Sequence, residues 1–203
     1  MSRIAPRGAA AFAALLALFL ACAFVGGAID PAVAAWAGEI RIRSPLLLQS
    51  ALVLTQLGAA PITLGLGAAG ALLLAGLGHS GRGAILGITI VAERLAVDGL
   101  KMFFGRARPE FDPQLVQVYN LSFPSGHAAN SLTAYVLLAF FLVPGRFRTA
   151  ALVAAFAIAF LVGLTRILIG VHWLSDVLGG WAAGLVAVML ALAADRRLGA
   201  REQ

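Results

Sequence analysis

The chain has a single cysteine and little charge. Cys22 has no second thiol to pair with, so an intramolecular disulfide is excluded. Only 12% of the 203 residues are charged, 61% are hydrophobic, and the mean hydropathy is +0.95. A water-soluble domain usually carries about a quarter of its residues as charged side chains. The composition therefore indicates a membrane protein.

Acidic residues are fewer than basic ones. The chain has 9 Asp and Glu against 15 Lys and Arg, which gives a net charge of +6. The basic residues stand singly or in pairs between apolar stretches, and they do not form a basic run of the kind that binds nucleic acid. This distribution suits anionic lipid headgroups or a phosphate substrate. We expect membrane lipids and no nucleic acid as partners, and the sequence leaves the oligomeric state open.

Six apolar stretches are long enough to cross a bilayer, which takes about 17 to 25 residues. They predict an all-α bundle that forms a single membrane-embedded domain over residues 1–203. Segment 44–57 is too short to span, so we predict an interfacial or re-entrant helix there, with a seventh span as the alternative. The first stretch could be a cleaved signal, although its length favours a retained anchor. The predicted spans are 10–29, 58–77, 83–104, 127–143, 149–169 and 173–194.

The positions of the arginines predict the orientation, because Lys and Arg are retained on the cytoplasmic side. With the N-terminus inside, the loops that carry Arg82, Arg146 and Arg148 are cytoplasmic. The C-terminus, with its own arginines, lies on the same side. The outer side receives Arg41 and Arg43 together with the cations of the motifs described next.

Three short motifs place polar residues at the outer ends of these spans. Polar residues in or beside membrane helices are energetically unfavourable and usually have a function. They read KxxxxxxRP, PSGH and RxxxxxHxxxD. Because the motifs fall at the same ends of four predicted helices, we expect them to converge on one membrane face. The fixed residues are Lys101, Arg108, Pro109, Pro124, Ser125, Gly126, His127, Arg166, His172 and Asp176.

The cations of the motifs suit a phosphoryl group, whose transition state spreads negative charge over its oxygens. Lys101, Arg108 and Arg166 supply positive charge for those oxygens. Ser125 and Gly126 precede a predicted helix whose first N–H groups bind anions, so we assign both residues to phosphate binding. The preceding proline helps to set that turn.

His172 and Asp176 are four residues apart at the start of a predicted helix, which places them on one face. A carboxylate that is hydrogen-bonded to one imidazole nitrogen fixes the tautomer and leaves the other nitrogen free to attack phosphorus. The motifs lack the carboxylate cluster that holds magnesium, so we expect no metal and no other cofactor.

Together the motifs resemble the three-part signature of the PAP2 (type-2 phosphatidic acid phosphatase) superfamily, which includes lipid phosphatases and vanadium haloperoxidases. The resemblance runs from Lys101 to Asp176. It implies a PAP2/haloperoxidase-like core in a bacterial plasma membrane. With the orientation that the arginines predict, the active site faces the periplasm or the outside. It also implies that His172 is the nucleophile, forming a phosphohistidine, and that His127 is the general acid.

The motifs recognise a phosphate and not the chain attached to it, so the substrate is a matter of analogy. Undecaprenyl pyrophosphate is the first choice, because that carrier lipid must be dephosphorylated for recycling. Phosphatidic acid, phosphatidylglycerophosphate, lipid A and transfer to an acceptor other than water are the alternatives. Halide oxidation is disfavoured by the six spans, and a phosphate-lipid binder or transporter remains the non-enzymatic alternative.

Several further residues near the motifs carry predictions of their own. Asp98 either holds Lys101 in place or forms a simple neutralising ion pair. Glu93 lies deeper in the same predicted helix, where a pair with an arginine is favoured over contact with substrate. Arg106 is expected to touch headgroups or solvent, and segment 110–123 to cap the site.

Overall fold

A computed structural model describes residues 6–24, 26–110 and 121–200, and every regular element in these ranges is a helix. The prediction of an all-α protein is thus confirmed. Two 3-10 turns, Gly26–Ala28 and Thr55–Gly58, interrupt the α-helices. The α-helices are α1 Pro6–Phe24, α2 Asp30–Arg43, α3 Pro45–Leu54, α4 Ala60–Gly76, α5 Ser80–Phe104, α6 Gly126–Leu142, α7 Gly145–Leu168 and α8 Leu174–Gly199.

By length and apolar composition, α7 and α8 are able to cross a membrane. Residues 45–58 and α4 meet the same criteria only as a pair, and the pair is bent by 42°. α1 and α6 are apolar but shorter. α5 has 25 residues, yet it carries five charged side chains between Arg82 and Lys101. The described helices therefore include two or three clear spans, and the count of six stays a prediction.

The helices from α4 onward follow the predicted stretches to within a few residues, whereas the first predicted stretch does not. It was expected over 10–29, but α1 ends at Phe24 and a separate, unpredicted helix α2 begins at Asp30. Pro31 lies in the first turn of α2, the position where proline favours a new helix. Segment 44–57 does form a short helix, α3, followed by a 3-10 turn.

α6 lies at the centre of the bundle and packs against α4, α5, α7 and α8. Its contact with α8 is close because Gly180 faces it. A Cβ added at Gly180 would lie 2.5 Å from the carbonyl oxygen of Ser125, at the N-terminus of α6. The small residue lets the two backbones touch, as in other membrane helix pairs.

Antiparallel packing brings the C-termini of α5 and α7 to the same end of the bundle as the N-termini of α6 and α8. The Ser125 N–H donates to the Asp176 carbonyl at 2.9 Å across this end. At the opposite end, the start of α5 meets the end of α8 through an Arg82–Asp195 salt bridge of 2.8 Å. All three motifs therefore lie at one end.

Candidate active site

His172 occupies the turn between α7 and α8, and it is 3% exposed. Its Nδ1 lies 3.3 Å from Oδ2 of Asp176, which is fully buried in the first turn of α8. The Arg108 guanidinium approaches the other ring nitrogen, Nε2, at 3.1 Å. An arginine can only donate, so these partners assign the ring proton to Nδ1 and leave a lone pair on Nε2.

Electrostatics keep this imidazole neutral. Burial, followed by the positive charges of Arg108, Arg166, Lys101 and His127, holds the pKa of His172 well below its usual value. Burial also lowers the pKa of Arg108 to about 10, opposed by Asp176, so Arg108 remains a cation at neutral pH.

Asp176 is held by three donors besides His172. The Ser122 hydroxyl and the Trp173 backbone N–H donate to Oδ2, the latter at 2.9 Å. Arg106 donates to Oδ1 at 3.0 Å. A carboxylate with this many donors is fixed in position.

Arg106 and Ser122 were not among the predicted site residues. The expectation that Arg106 touches headgroups or solvent is wrong, because its guanidinium turns inward to Asp176 and to the carbonyl of Cys22, the latter at 2.9 Å. Gly105 allows this turn by ending α5 in the left-handed conformation, at φ +58°. The sequence signal available was a glycine directly after a long helix. For Ser122 we find no comparable signal.

The cations of the first motif surround the same turn. Lys101 is 4% exposed and donates from Nζ to the carbonyls of Leu121 (2.8 Å) and Ser122 (3.2 Å). Arg108 also donates to the Leu121 carbonyl, at 3.2 Å, and to the carbonyl of Val171. Both cations are thereby fixed beside His172.

Arg166 and Ser125 each bury a polar atom that has no hydrogen-bond partner among residues 6–24, 26–110 and 121–200: Nε of the first and Oγ of the second. Arg166 is also anchored through Nη1, which donates to Oγ1 of Thr55 at 2.8 Å. A buried polar atom left unpaired costs about 1–3 kcal/mol. Phosphate oxygens would satisfy both atoms, and Thr55 is a further site contact absent from the motifs.

His127 is the second residue of α6 and is half-buried. It packs against the 3-10 turn that precedes α4, where a Cβ added at Gly58 would lie 2.9 Å from the His127 carbonyl oxygen. Gly126 is the first residue of α6, and because it has no side chain, a ligand can approach the backbone N–H groups at the start of that helix. Pro109 and Pro124 are both buried beside the site.

Two of the less certain assignments can now be resolved. Asp98 forms a salt bridge with Arg94, at 3.0 Å, and the ammonium of Lys101 donates instead to carbonyls. The ion-pair alternative for Asp98 is therefore what the structure shows. The expected arginine pair of Glu93 is wrong for the described part of the chain, since both buried carboxyl oxygens lack a partner there. Glu93 instead lines an apolar cavity of about 490 Å³ between α1, α5 and α8.

Most of the segment expected to cap the site, residues 111–120, lies outside the described residues. At the described end of the segment, Phe123 is fully buried, and the centre of its ring lies 4.6 Å from Cζ of Arg106.

Comparison with known proteins connects this geometry to a family. The sequence profile of the PAP2 superfamily matches residues 82–199. Phosphatidylglycerophosphatase B of Bacillus subtilis (strain 168) is 32% identical, over 91% of this chain and 93% of its own length. The crystal structure of a transmembrane PAP2 type phosphatidylglycerolphosphate phosphatase from Bacillus subtilis superposes with a TM-score of 0.80 at 30% identity, covering 92% of this chain and 96% of that one.

A Lipid A 1-phosphatase of Rhizobium etli is 36% identical, over 54% of this chain and 50% of its own length. The profile match covers more than half of the chain, and the similarity to the Bacillus subtilis protein extends along nearly the whole of both sequences. This chain therefore belongs to the PAP2 superfamily and is an enzyme of the phosphoric monoester hydrolase type.

Proposed function

We propose that this enzyme removes the terminal phosphate of phosphatidylglycerophosphate, in place of the undecaprenyl pyrophosphate favoured by sequence reasoning. The similarity that extends over 93% of the Bacillus subtilis phosphatidylglycerophosphatase supports this choice. A lipid A phosphate is the second candidate, supported by relatives that match over about half of their length.

The observation that carries the chemistry is the pair of contacts made by His172, with Asp176 at Nδ1 and Arg108 at Nε2. In the proposed reaction Nε2 attacks phosphorus, and the bond between phosphorus and the leaving alcohol oxygen breaks. His127 donates a proton to that oxygen. The Asp176 carboxylate stabilises the positive charge that develops on the ring.

In the second step water attacks the phosphohistidine. His127, now neutral, accepts the proton of that water, the P–N bond breaks, and inorganic phosphate leaves. The lone pair returns to Nε2 of His172. His127 thus gives up a proton in the first step and accepts one in the second, so it ends the cycle in its starting protonation state.

The remaining motif residues bind the equatorial oxygens of the phosphoryl group. Lys101, Arg108 and Arg166 supply charge, and Ser125 and the N–H of Gly126 supply neutral donors at the start of α6. These groups are fixed before the reaction by contacts with carbonyls and with Thr55, so they need little rearrangement as charge develops.

We further propose that residues 1–203 form one domain with six spans in the bacterial plasma membrane, with α3 and the turn after it at the interface. Both termini lie in the cytoplasm, and the end of the bundle that carries His172 faces the periplasm. In this arrangement the lipid tail stays in the bilayer while the phosphate reaches the buried cations.

The test is the release of inorganic phosphate by the purified protein in detergent. Phosphatidylglycerophosphate, phosphatidic acid, undecaprenyl pyrophosphate and a lipid A phosphate are compared at matched mole fraction, with His172→Ala as control and with and without excess EDTA. We expect the highest kcat/KM on phosphatidylglycerophosphate, no activity in the variant and no effect of EDTA. A preparation that hydrolyses another lipid but leaves phosphatidylglycerophosphate intact would refute the substrate assignment.

A further inference from the structure

One cation beside the site belongs to none of the three motifs. Arg94 lies on α5 seven residues before Lys101, about 10 Å along the helix axis. A Cβ added at Gly126 would lie 3.5 Å from Nη1 of Arg94 and 4.0 Å from Cε of Lys101. The two side chains therefore flank the same point, the N-terminus of α6, where phosphate is proposed to bind.

The Arg94 guanidinium is held in a defined orientation. Its Nη2 pairs with Oδ2 of Asp98, one turn further along α5, at 3.0 Å. The other terminal nitrogen, Nη1, is the one close to Gly126. The ion pair with Asp98 thus holds Nη2 in place and leaves Nη1 directed at the start of α6. Arginine binds phosphate oxygens through the N–H groups of these terminal nitrogens.

Exposure separates Arg94 from two of the other cations, Lys101 and Arg166. Its side chain is 29% exposed and that of Asp98 is 43% exposed, whereas Lys101 and Arg166 are each 4% exposed. Arg94 therefore lies nearer the rim of the site than Lys101 and Arg166 do.

Resting on the proposed function, we infer that Arg94 forms a second phosphate subsite, which binds the inner phosphodiester of a lipid with two phosphate groups. The terminal phosphate must reach His172, which is 3% exposed, at the centre. The inner phosphate is attached to the lipid tails and stays nearer the bilayer, at the rim. The glycerol that joins the two groups spans the distance between Arg94 and the central cations.

The test compares Arg94→Ala on two substrates that differ in the inner phosphate. Phosphatidylglycerophosphate has both groups, and phosphatidic acid has only the phosphate that is hydrolysed. Loss of a charged hydrogen bond predicts a fall of about 10- to 100-fold in kcat/KM on the first substrate, mainly through KM. On phosphatidic acid the change should stay within about twofold, and Arg94→Lys should give an intermediate loss on the first substrate.

Arg82→Ala is the matched control. Arg82 also lies on α5 and also pairs with an aspartate, Asp195, at 2.8 Å, but at the other end of the bundle. It should leave kcat/KM unchanged on both substrates. Equal losses on the two substrates in Arg94→Ala would overturn the inference, because Arg94 would then serve the reacting phosphate. Unchanged kinetics on phosphatidylglycerophosphate would overturn it as well.

A competition experiment keeps this inference separate from the substrate assignment. Phosphatidylglycerol carries the inner phosphodiester alone and should inhibit hydrolysis of phosphatidic acid by the wild type. Its inhibition constant should rise about 10-fold in Arg94→Ala and by a smaller factor in Arg94→Lys, which replaces the alanine variant if that variant does not fold. An unchanged constant refutes the subsite even if phosphatidylglycerophosphate proves to be a substrate. A raised inhibition constant supports the subsite even if phosphatidylglycerophosphate proves not to be a substrate.

Discussion

At the scale of single residues, the site combines a buried, uncharged imidazole with a fixed carboxylate. His172 stays neutral because it is buried among cations, and Asp176 stays in place because Ser122, Trp173 and Arg106 donate to it. The motif identified both residues of this pair. It did not identify the hydrogen-bond donors around Asp176. Arg106 and Ser122 lie between α5 and α6, where no periodic pattern of hydrophobic residues predicts the position of a side chain.

Ser122→Ala tests the importance of these donors. It removes the hydroxyl that donates to Oδ2 of Asp176. The carboxylate retains two other donors, so we expect kcat to fall about 5- to 30-fold, the equivalent of about 1–2 kcal/mol, with little change in KM. Steady-state kinetics measure both constants. Ser131→Ala is the control, because that hydroxyl donates within its own helix, to the His127 carbonyl at 2.7 Å. Full activity in Ser122→Ala would argue against a fixed Asp176.

The lowered pKa of His172 predicts a pH-dependent stability. The unfolded chain takes up a proton at this residue near pH 6.5, whereas the folded protein does so only at a lower pH. The stabilising contribution is therefore present above about pH 6.5 and is lost as the pH falls from there toward the folded-state pKa. Thermal unfolding in detergent should show a lower Tm at pH 5 than at pH 7, and His172→Gln should reduce that difference. An identical difference in both proteins would contradict the sign of the shift.

At the scale of elements, the helices that build the site were the most predictable. Long apolar stretches define α4 to α8, and the motifs at their ends identify the face that carries the chemistry. The α1–α2 break was missed, because hydropathy runs through residues 24–29 without a marked change although a new helix starts at Asp30. Thr55 was missed for a different reason: its contact with Arg166 depends on how the turn before α4 packs against α7.

The close contact between α6 and α8 makes a prediction of its own. Gly180→Ala would place a methyl group 2.5 Å from the Ser125 carbonyl oxygen, so the N-terminus of α6 must shift. We expect a loss of about 1–3 kcal/mol in stability from overpacking and a lower kcat/KM, because the residues proposed to bind phosphate move with the helix. Thermal unfolding and phosphate release report the two effects. Gly65→Ala in α4, with open space around the added Cβ, is the control. Wild-type stability and activity in Gly180→Ala would exclude this packing constraint.

At the scale of the whole molecule, an apolar bundle holds several cations and two histidines at one end. Burying like charges together is unfavourable unless an anion joins them, and the orphaned polar atoms of Arg166 and Ser125 lie in the same region. The arrangement is therefore matched to a phosphate. The similarity along nearly the full length of a Bacillus subtilis phosphatidylglycerophosphatase is consistent with that arrangement.

The most direct test of the mechanism is to trap the covalent intermediate. Wild-type enzyme is mixed with phosphatidylglycerophosphate labelled in its terminal phosphate, denatured within milliseconds in alkali, and analysed by mass spectrometry for protein-bound label. We expect an acid-labile, alkali-stable phosphoryl group on His172, and neither label nor turnover in His172→Ala. Turnover that survives in His172→Ala, or label carried by another residue, would contradict the phosphohistidine mechanism.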